Sequence, residues 1–110
     1  MKRLAILGST GSIGTQALEV VRSHPQLFQV EVLSAHSNIA LLAEQAKEFK
    51  PNAVVIADET KYQALKSELE SLPVKVFSGA AALKEVVQWE SVDCVLGAIV
   101  GFAGLHSILA

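Results

Sequence analysis

Three glycines recur at three-residue spacing near the start of the chain, where residues 8–14 read GSTGSIG. Gly8 permits a tight exit from a strand, Gly11 lets backbone N–H groups approach a pyrophosphate, and Gly14 lets a following helix pack closely. Thr10 and Ser12 add hydroxyl donors at the same place, and a helix N-terminus adds unpaired N–H groups and partial positive charge. The spacing therefore predicts a dinucleotide phosphate site, since a simple tight turn needs fewer glycines.

A second segment of interest spans residues 33–38, which read LSAHSN. Domains that prefer NAD usually end their second strand with Asp or Glu, which binds the ribose hydroxyls, and this segment has no acid. Ser37, Asn38 and the next helix N-terminus can donate to a 2′-phosphate, as can His36 when protonated. The segment favours NADP, although His36 could equally be a plain surface residue. Asn38 is also a good helix cap, and the two roles are compatible.

Strand-like and helix-like periods alternate along the chain and position these two segments. We predict strands at 4–7, 28–32, 53–57, 74–77 and 92–99, and helices at 12–24, 38–50, 59–69, 80–89 and from 101 or 102 onward. Strand 28–32 alternates strictly between apolar and polar residues, so we expect one of its faces to be less buried than those of the first strand. The predicted inner faces of the first four helices are Ile13, Ala17, Val20 and Val21; Leu42, Ala46 and Phe49; Tyr62, Leu65 and Leu69; and Leu83, Val86 and Val87.

This alternation predicts an α/β fold, a doubly wound parallel sheet forming one Rossmann-like NAD(P)-binding domain over residues 1–110. Ligands of such folds bind beyond the carboxyl ends of the strands. The loops to examine are therefore those after residues 7, 34, 57, 77 and 99.

Composition excludes several classes of function. The net charge of −2 gives no basic surface for nucleic acid. The apolar run at 94–105 contains three glycines and is too short to cross a bilayer, and the apolar stretch at 4–7 is too short for a signal peptide. Cys94 is the only cysteine, and we expect a buried structural thiol in a cytoplasmic protein.

Three segments together resemble the 1-deoxy-D-xylulose 5-phosphate reductoisomerase family: residues 6–16 (ILGSTGSIGTQ), the loop at 35–38, and residues 98–105 (AIVGFAGL). The resemblance implies an enzyme that isomerises and reduces 1-deoxy-D-xylulose 5-phosphate to 2-C-methyl-D-erythritol 4-phosphate with NADPH and a Mg or Mn ion, in the non-mevalonate route to isoprenoids. It also implies cofactor contacts from Thr10, Gly11, Ser12 and Ile13, and a 2′-phosphate site at 36–38. Residues 98–101 would lie at the nicotinamide end, and the full-length enzyme would be a homodimer.

The chain departs from the family pattern in two ways. Many members read Gly-Lys-Asn where this chain has His36, Ser37 and Asn38, so a lysine charge is lost. Members are also several times longer, and their metal-binding and substrate-binding residues lie beyond residue 110. We assign no metal ligand and no catalytic base here, because Asp93 begins a strand and Asp58 and Glu59 cap a helix. We therefore expect the chain alone to be inactive.

Two other interpretations remain open from the sequence. One is the cofactor domain of another NADP reductase, such as an aspartate-semialdehyde or acyl-phosphate reductase, which would need a nucleophilic cysteine; Cys94, inside a predicted strand, is poorly placed for that. The other is a module that senses NADPH without chemistry. Residues 98–105 argue against the sensor, which has no evident use for a loop at the nicotinamide end.

Overall fold

The structure, a computed structural model, describes residues 2–90 and 92–97. Strands and helices alternate along it in the predicted order: β1 (Lys2–Leu7), α1 (Ser12–Ser23), β2 (Phe28–Ala35), α2 (Ile39–Phe49), β3 (Ala53–Ile56), a 3-10 turn (Glu59–Lys61), α3 (Tyr62–Glu68), β4 (Lys75–Ser78), α4 (Ala80–Val86) and β5 (Cys94–Gly97). The predicted helix from residue 101 or 102 and the last two residues of the predicted fifth strand lie outside the described residues.

The five strands form one parallel sheet in the order β4-β3-β2-β1-β5. The first four strands are added one after another towards one side, and β5 then pairs with the free side of β1. This reversal makes the crevice between β1 and β5 a topological switch point, the place where open α/β sheets bind ligands. The sheet thus gives the glycine turn after β1 the position predicted for it.

Helices cover both faces of the sheet, as a doubly wound fold requires. On one face, Leu18 of α1, Leu42 of α2 and Leu65 of α3 share a buried cluster with alternate strand residues such as Ile6. On the other face, Leu83 of α4 packs in a second cluster. Right-handed crossovers explain this division, because the connection from β4 back to β5 runs in the opposite direction to the first three.

The expectation that β2 has one less buried face holds only at Gln29, which is exposed; Glu31, the other polar residue of the alternating pattern, is buried. The pairing of β1 with β2 shifts register between Leu4 and Ala5, so that Leu4 lies opposite Val30 and Ala5 opposite Val32. Such a shift places an extra residue in one strand and turns the side chains that follow. Val30 accordingly packs in the first cluster and Val32 in the second, and all of residues 30–35 are buried because β2 lies between β1 and β3.

The predicted inner face of α1 is also partly wrong. Val21 is buried and Ala17 packs against the core, but Ile13 and Val20 are 63% and 52% exposed. The buried stripe of α1 instead contains Gly14, Leu18 and Val21, because close contact between Gly14 and the turn sets the rotation of the helix. The inner faces predicted for the other helices are buried or packed against the core: Leu42, Ala46, Phe49, Tyr62, Leu65, Leu69, Leu83, Val86 and Val87.

None of the helices in the described part of the chain is long and apolar enough to cross a membrane. Cys94 carries a free thiol and is buried, as expected.

Candidate dinucleotide site

The glycine turn joins β1 to α1 through a backbone conformation that suits glycine. Gly8 has a φ of 69°, in the left-handed region that residues with a Cβ rarely adopt. The N–H of Gly11 donates to the Gly8 carbonyl at 3.0 Å, and the Gly11 carbonyl accepts from Thr15 N at 2.9 Å. The chain therefore leaves the strand, turns tightly and enters the helix within four residues.

Gly11 and Gly14 differ sharply in the space around them. A Cβ on Gly14 would lie 2.3 Å from the Gly8 carbonyl oxygen and 2.5 Å from Ser9 Cα, so only glycine fits without displacement. A Cβ on Gly11 would meet the same oxygen at an ordinary 3.4 Å. Packing of the helix on the turn explains Gly14. Gly11 is exposed, and packing among residues 2–90 and 92–97 does not account for it.

The N-terminus of α1 is not capped by any side chain in the described part of the chain. Gly11 is its N-cap residue, and no acidic residue lies in its first turn. The first N–H groups of a helix have no partner within the helix, so these keep their capacity to bind an anion. Among the predicted contact residues, Thr10 is half-buried, while Ser12 and Ile13 are exposed.

Ser9, Ser34 and Gln45 form a buried polar cluster beneath the turn, and sequence reasoning missed it. They are 0%, 2% and 6% exposed. Ser9 Oγ donates to Gln45 Oε1 at 2.7 Å, and Gln45 Nε2 donates to the Ser9 carbonyl at 2.9 Å. Gly8 N donates to Ser34 Oγ at 3.1 Å, and Ser9 N donates to the Ser34 carbonyl at 2.8 Å. A sequence signal existed, because Gln45 lies in the same helical stripe as Leu42 and Phe49.

The loop after β2 lies beside the glycine turn. His36, Ser37 and Asn38 are all exposed. Asn38 Oδ1 accepts from Leu41 N at 3.2 Å, which confirms the helix cap predicted for Asn38 and leaves its amide N–H groups able to donate elsewhere. The His36 carbonyl accepts from Asp58 N at 2.8 Å, which anchors this loop to the end of β3.

Of the two acidic residues predicted to cap a helix near this edge, Asp58 does so and Glu59 is the first residue of the 3-10 turn. Asp58 caps the 3-10 turn, and hydrogen bonds from the hydroxyl and the N–H of Thr60 hold the pKa of its carboxyl below its usual range. Asp93 lies at the opposite edge of the sheet, where it accepts from Arg3 N at 2.9 Å. Within residues 2–90 and 92–97, no cluster of three or more His, Cys, Asp or Glu is placed to hold a metal ion.

The family of this chain follows from comparison with known proteins. The family model for 1-deoxy-D-xylulose 5-phosphate reductoisomerase matches residues 4–110. The chain belongs to this family.

Reductoisomerases from two bacteria are close relatives. The chain is 56% identical to the one from Phocaeicola vulgatus over 105 residues and 57% identical to the one from Bacteroides fragilis over 104 residues. These matches cover 96% and 94% of this chain but only 28% and 27% of the relatives. The chain thus spans about a quarter of the length of the curated reductoisomerases that it matches.

Solved reductoisomerases share the fold. A crystal structure of a reductoisomerase with magnesium superimposes with a TM-score of 0.88 at 37% identity, over 97% of this chain and 27% of that one. The Zymomonas mobilis reductoisomerase in complex with NADPH gives 0.84 at 35% identity, over 89% and 26%. The doubly wound α/β prediction is therefore confirmed. The third resembling segment, at 98–105, lies outside the described residues.

Proposed function

We propose that this chain binds NADPH and forms the cofactor-binding part of a reductoisomerase that converts 1-deoxy-D-xylulose 5-phosphate to 2-C-methyl-D-erythritol 4-phosphate. The observation that carries the proposal is the N-terminus of α1, which no described side chain caps, behind an exposed Gly11 at the switch point of the sheet. Family membership supplies the reaction, and a relative from Zymomonas mobilis has been solved with NADPH.

The turn fits a pyrophosphate. Space beside Gly11 is free of side chains from the described residues, and the first-turn N–H groups of α1 lack partners within the helix. We assign phosphate contacts to Thr10, Gly11, Ser12 and Ile13, as the family resemblance implies. Gly8 belongs to the same cofactor site as the residue that forms the tight exit from β1. The exposed Ile13 side chain is apolar and beside the turn, so it can cover bound cofactor rather than fill the core.

The loop at 36–38 fits a 2′-phosphate. Its three exposed side chains offer donors, and the amide of Asn38 remains able to donate while its oxygen caps α2. The nearest strand end that carries an acid is that of β3, and Asp58 there is engaged with Thr60. This arrangement favours NADPH, because NAD-preferring domains place an acid at the end of β2 itself.

Bound NADPH would supply the hydride for the reductive step. The described residues hold no metal-binding cluster, so we assign the Mg or Mn site and the substrate site to parts of the reductoisomerase outside this region. A related reductoisomerase has been solved with NADPH, fosmidomycin and magnesium. We further propose that the full-length protein is a cytoplasmic homodimer that acts on a small molecule, with no nucleic-acid or membrane partner.

Calorimetric titration tests the cofactor assignment. NADPH should bind at least about tenfold more tightly than NADH, a difference of roughly 1.4 kcal/mol. Gly11→Val should abolish NADPH binding while the circular dichroism spectrum is retained, because Gly11 has a φ of −82° and a ψ of 176°, which valine tolerates. Equal affinities for the two cofactors, or normal binding by folded Gly11→Val, would refute the assignment.

A further inference from the structure

The Ser9–Ser34–Gln45 cluster is a polar site buried beneath the turn that the phosphate contacts themselves do not use. A polar side chain on the inner stripe of a helix is costly unless its hydrogen bonds are satisfied. Gln45 satisfies them on one residue, since its amide oxygen accepts from the Ser9 hydroxyl and its amide nitrogen donates to the Ser9 carbonyl. Among the described residues, no buried side-chain polar atom lacks a partner.

Gln45 also connects the two halves of the proposed site. It lies on α2 seven residues after Asn38, a helix rise of about 10 Å. The N-terminus of α2 follows the 2′-phosphate loop, while Gln45 holds the backbone of Ser9 inside the glycine turn. The helix α2 therefore begins at the loop at 36–38 and, through Gln45, forms hydrogen bonds with the glycine turn further along.

The cluster has a second effect on the turn. Ser9 Oγ is fully buried, and its single proton is donated to Gln45 Oε1 at 2.7 Å with the Ser34 carbonyl 3.2 Å away, so the hydroxyl cannot reach a ligand. The backbone of Gly8 and Ser9 is fixed by Ser34 from β2. The turn is thus held in one shape before any ligand arrives, and such preorganisation strengthens binding.

We infer that Gln45 is a positioning residue for NADPH, which fixes the pyrophosphate turn relative to the 2′-phosphate loop through Ser9. This inference rests on the proposed NADPH site. It predicts that loss of Gln45 weakens the binding of a ligand that contacts both the glycine turn and the loop at 36–38. The binding of a ligand that contacts only the loop at 36–38 should not change.

The test titrates the full chain with NADPH and with adenosine 2′-monophosphate, which has the 2′-phosphate but no pyrophosphate. Gln45→Leu should weaken NADPH about tenfold and change adenosine 2′-monophosphate binding by less than about twofold. Gln63→Leu makes the same chemical change at an exposed position of α3, and Leu65→Val loosens the core away from the turn. Both controls should leave the two affinities unchanged within about twofold.

Each outcome decides a separate question. If Gln45→Leu weakens both ligands equally, or neither, the positioning role is refuted while NADPH binding by the unsubstituted chain still supports the proposed function. If the unsubstituted chain does not bind NADPH, the proposed function itself fails. Should Gln45→Leu not fold, Ser9→Ala removes only the hydrogen bond of the hydroxyl. It should weaken NADPH binding about threefold and leave adenosine 2′-monophosphate binding unchanged. An NADPH affinity of Ser9→Ala equal to that of the unsubstituted chain would overturn the inference.

Discussion

The contact between Gly14 and the glycine turn allows a sharp test of how this site is built. In Gly14→Ala the new methyl group would lie 2.3 Å from the Gly8 carbonyl oxygen and 2.5 Å from Ser9 Cα, whereas ordinary contact begins near 3.4 Å. Both neighbours are backbone atoms and cannot rotate away, so α1 or the turn must move by about 1.1 Å.

The expected loss of stability follows from two opposing effects. Overpacking of this kind costs about 1–3 kcal/mol, while alanine inside a helix is favoured over glycine by about 0.5–1 kcal/mol. Because the clash is with backbone atoms, the cost should lie in the upper part of that range, about 2–3 kcal/mol, so we expect Gly14→Ala to lower the free energy of unfolding by about 1–2.5 kcal/mol. NADPH affinity should fall as well, because the displaced turn no longer presents its N–H groups correctly.

Urea denaturation followed by the fluorescence of Trp89 measures this loss, since Trp89 is the only tryptophan and packs edge-on against Phe77. Gly11→Ala is the matched control: its backbone is extended and its Cβ has room, so stability should be unchanged or about 0.4–1 kcal/mol higher. A Gly14→Ala protein as stable as the unsubstituted chain, or a Gly11→Ala protein equally destabilised, would refute this account of the turn.

Three further predictions concern the loop, the sheet edge and the reaction. Asn38→Asp should keep the cap on α2 but repel the 2′-phosphate, so that calorimetry shows weaker NADPH binding and unchanged NADH binding. An unchanged ratio of NADPH affinity to NADH affinity would contradict the 2′-phosphate role of the loop at 36–38. A hydrogen bond from Arg3 N lowers the pKa of Asp93, so Asp93 stabilises the fold above the ordinary aspartate pKa of about 3.9, and this contribution is lost as the pH falls through the lower folded pKa. In urea denaturation, Asp93→Asn should therefore be less stable than the unsubstituted chain at neutral pH and equally stable in acid. A loss of stability that does not depend on pH would contradict this. The chain alone should oxidise no NADPH when given 1-deoxy-D-xylulose 5-phosphate and Mn ion, and substrate-dependent turnover would mean that an acid such as Asp58 binds metal.

The sequence predicted the strands, the helices and the glycine turn because each depends on local chemistry. Alternating periods identified all four described helices and all five strands to within a few residues. The Asn38 cap followed from the residue type and its place before an apolar stripe. The glycine spacing likewise located the turn that the structure places at the switch point.

Features that depend on how elements pack were not available from periodicity. Strict alternation in β2 predicted a half-buried strand, but the register shift opposite Leu4 and Ala5 sends Val30 and Val32 to opposite faces. Helical spacing placed Ile13 and Val20 inward, but the approach of Gly14 to Gly8 turned α1 so that both are exposed.

The sequence by itself determined the fold class, the order of elements and the position of the glycine turn, because hydrophobic period, caps and glycine spacing act over a few residues. Only the tertiary structure decided the rotation of α1, the two-sided burial of β2 and the pairing of Gln45 with Ser9. These depend on contacts between residues far apart in the chain, where the backbone distance and the direction of each side chain are fixed only when the sheet and helices pack together.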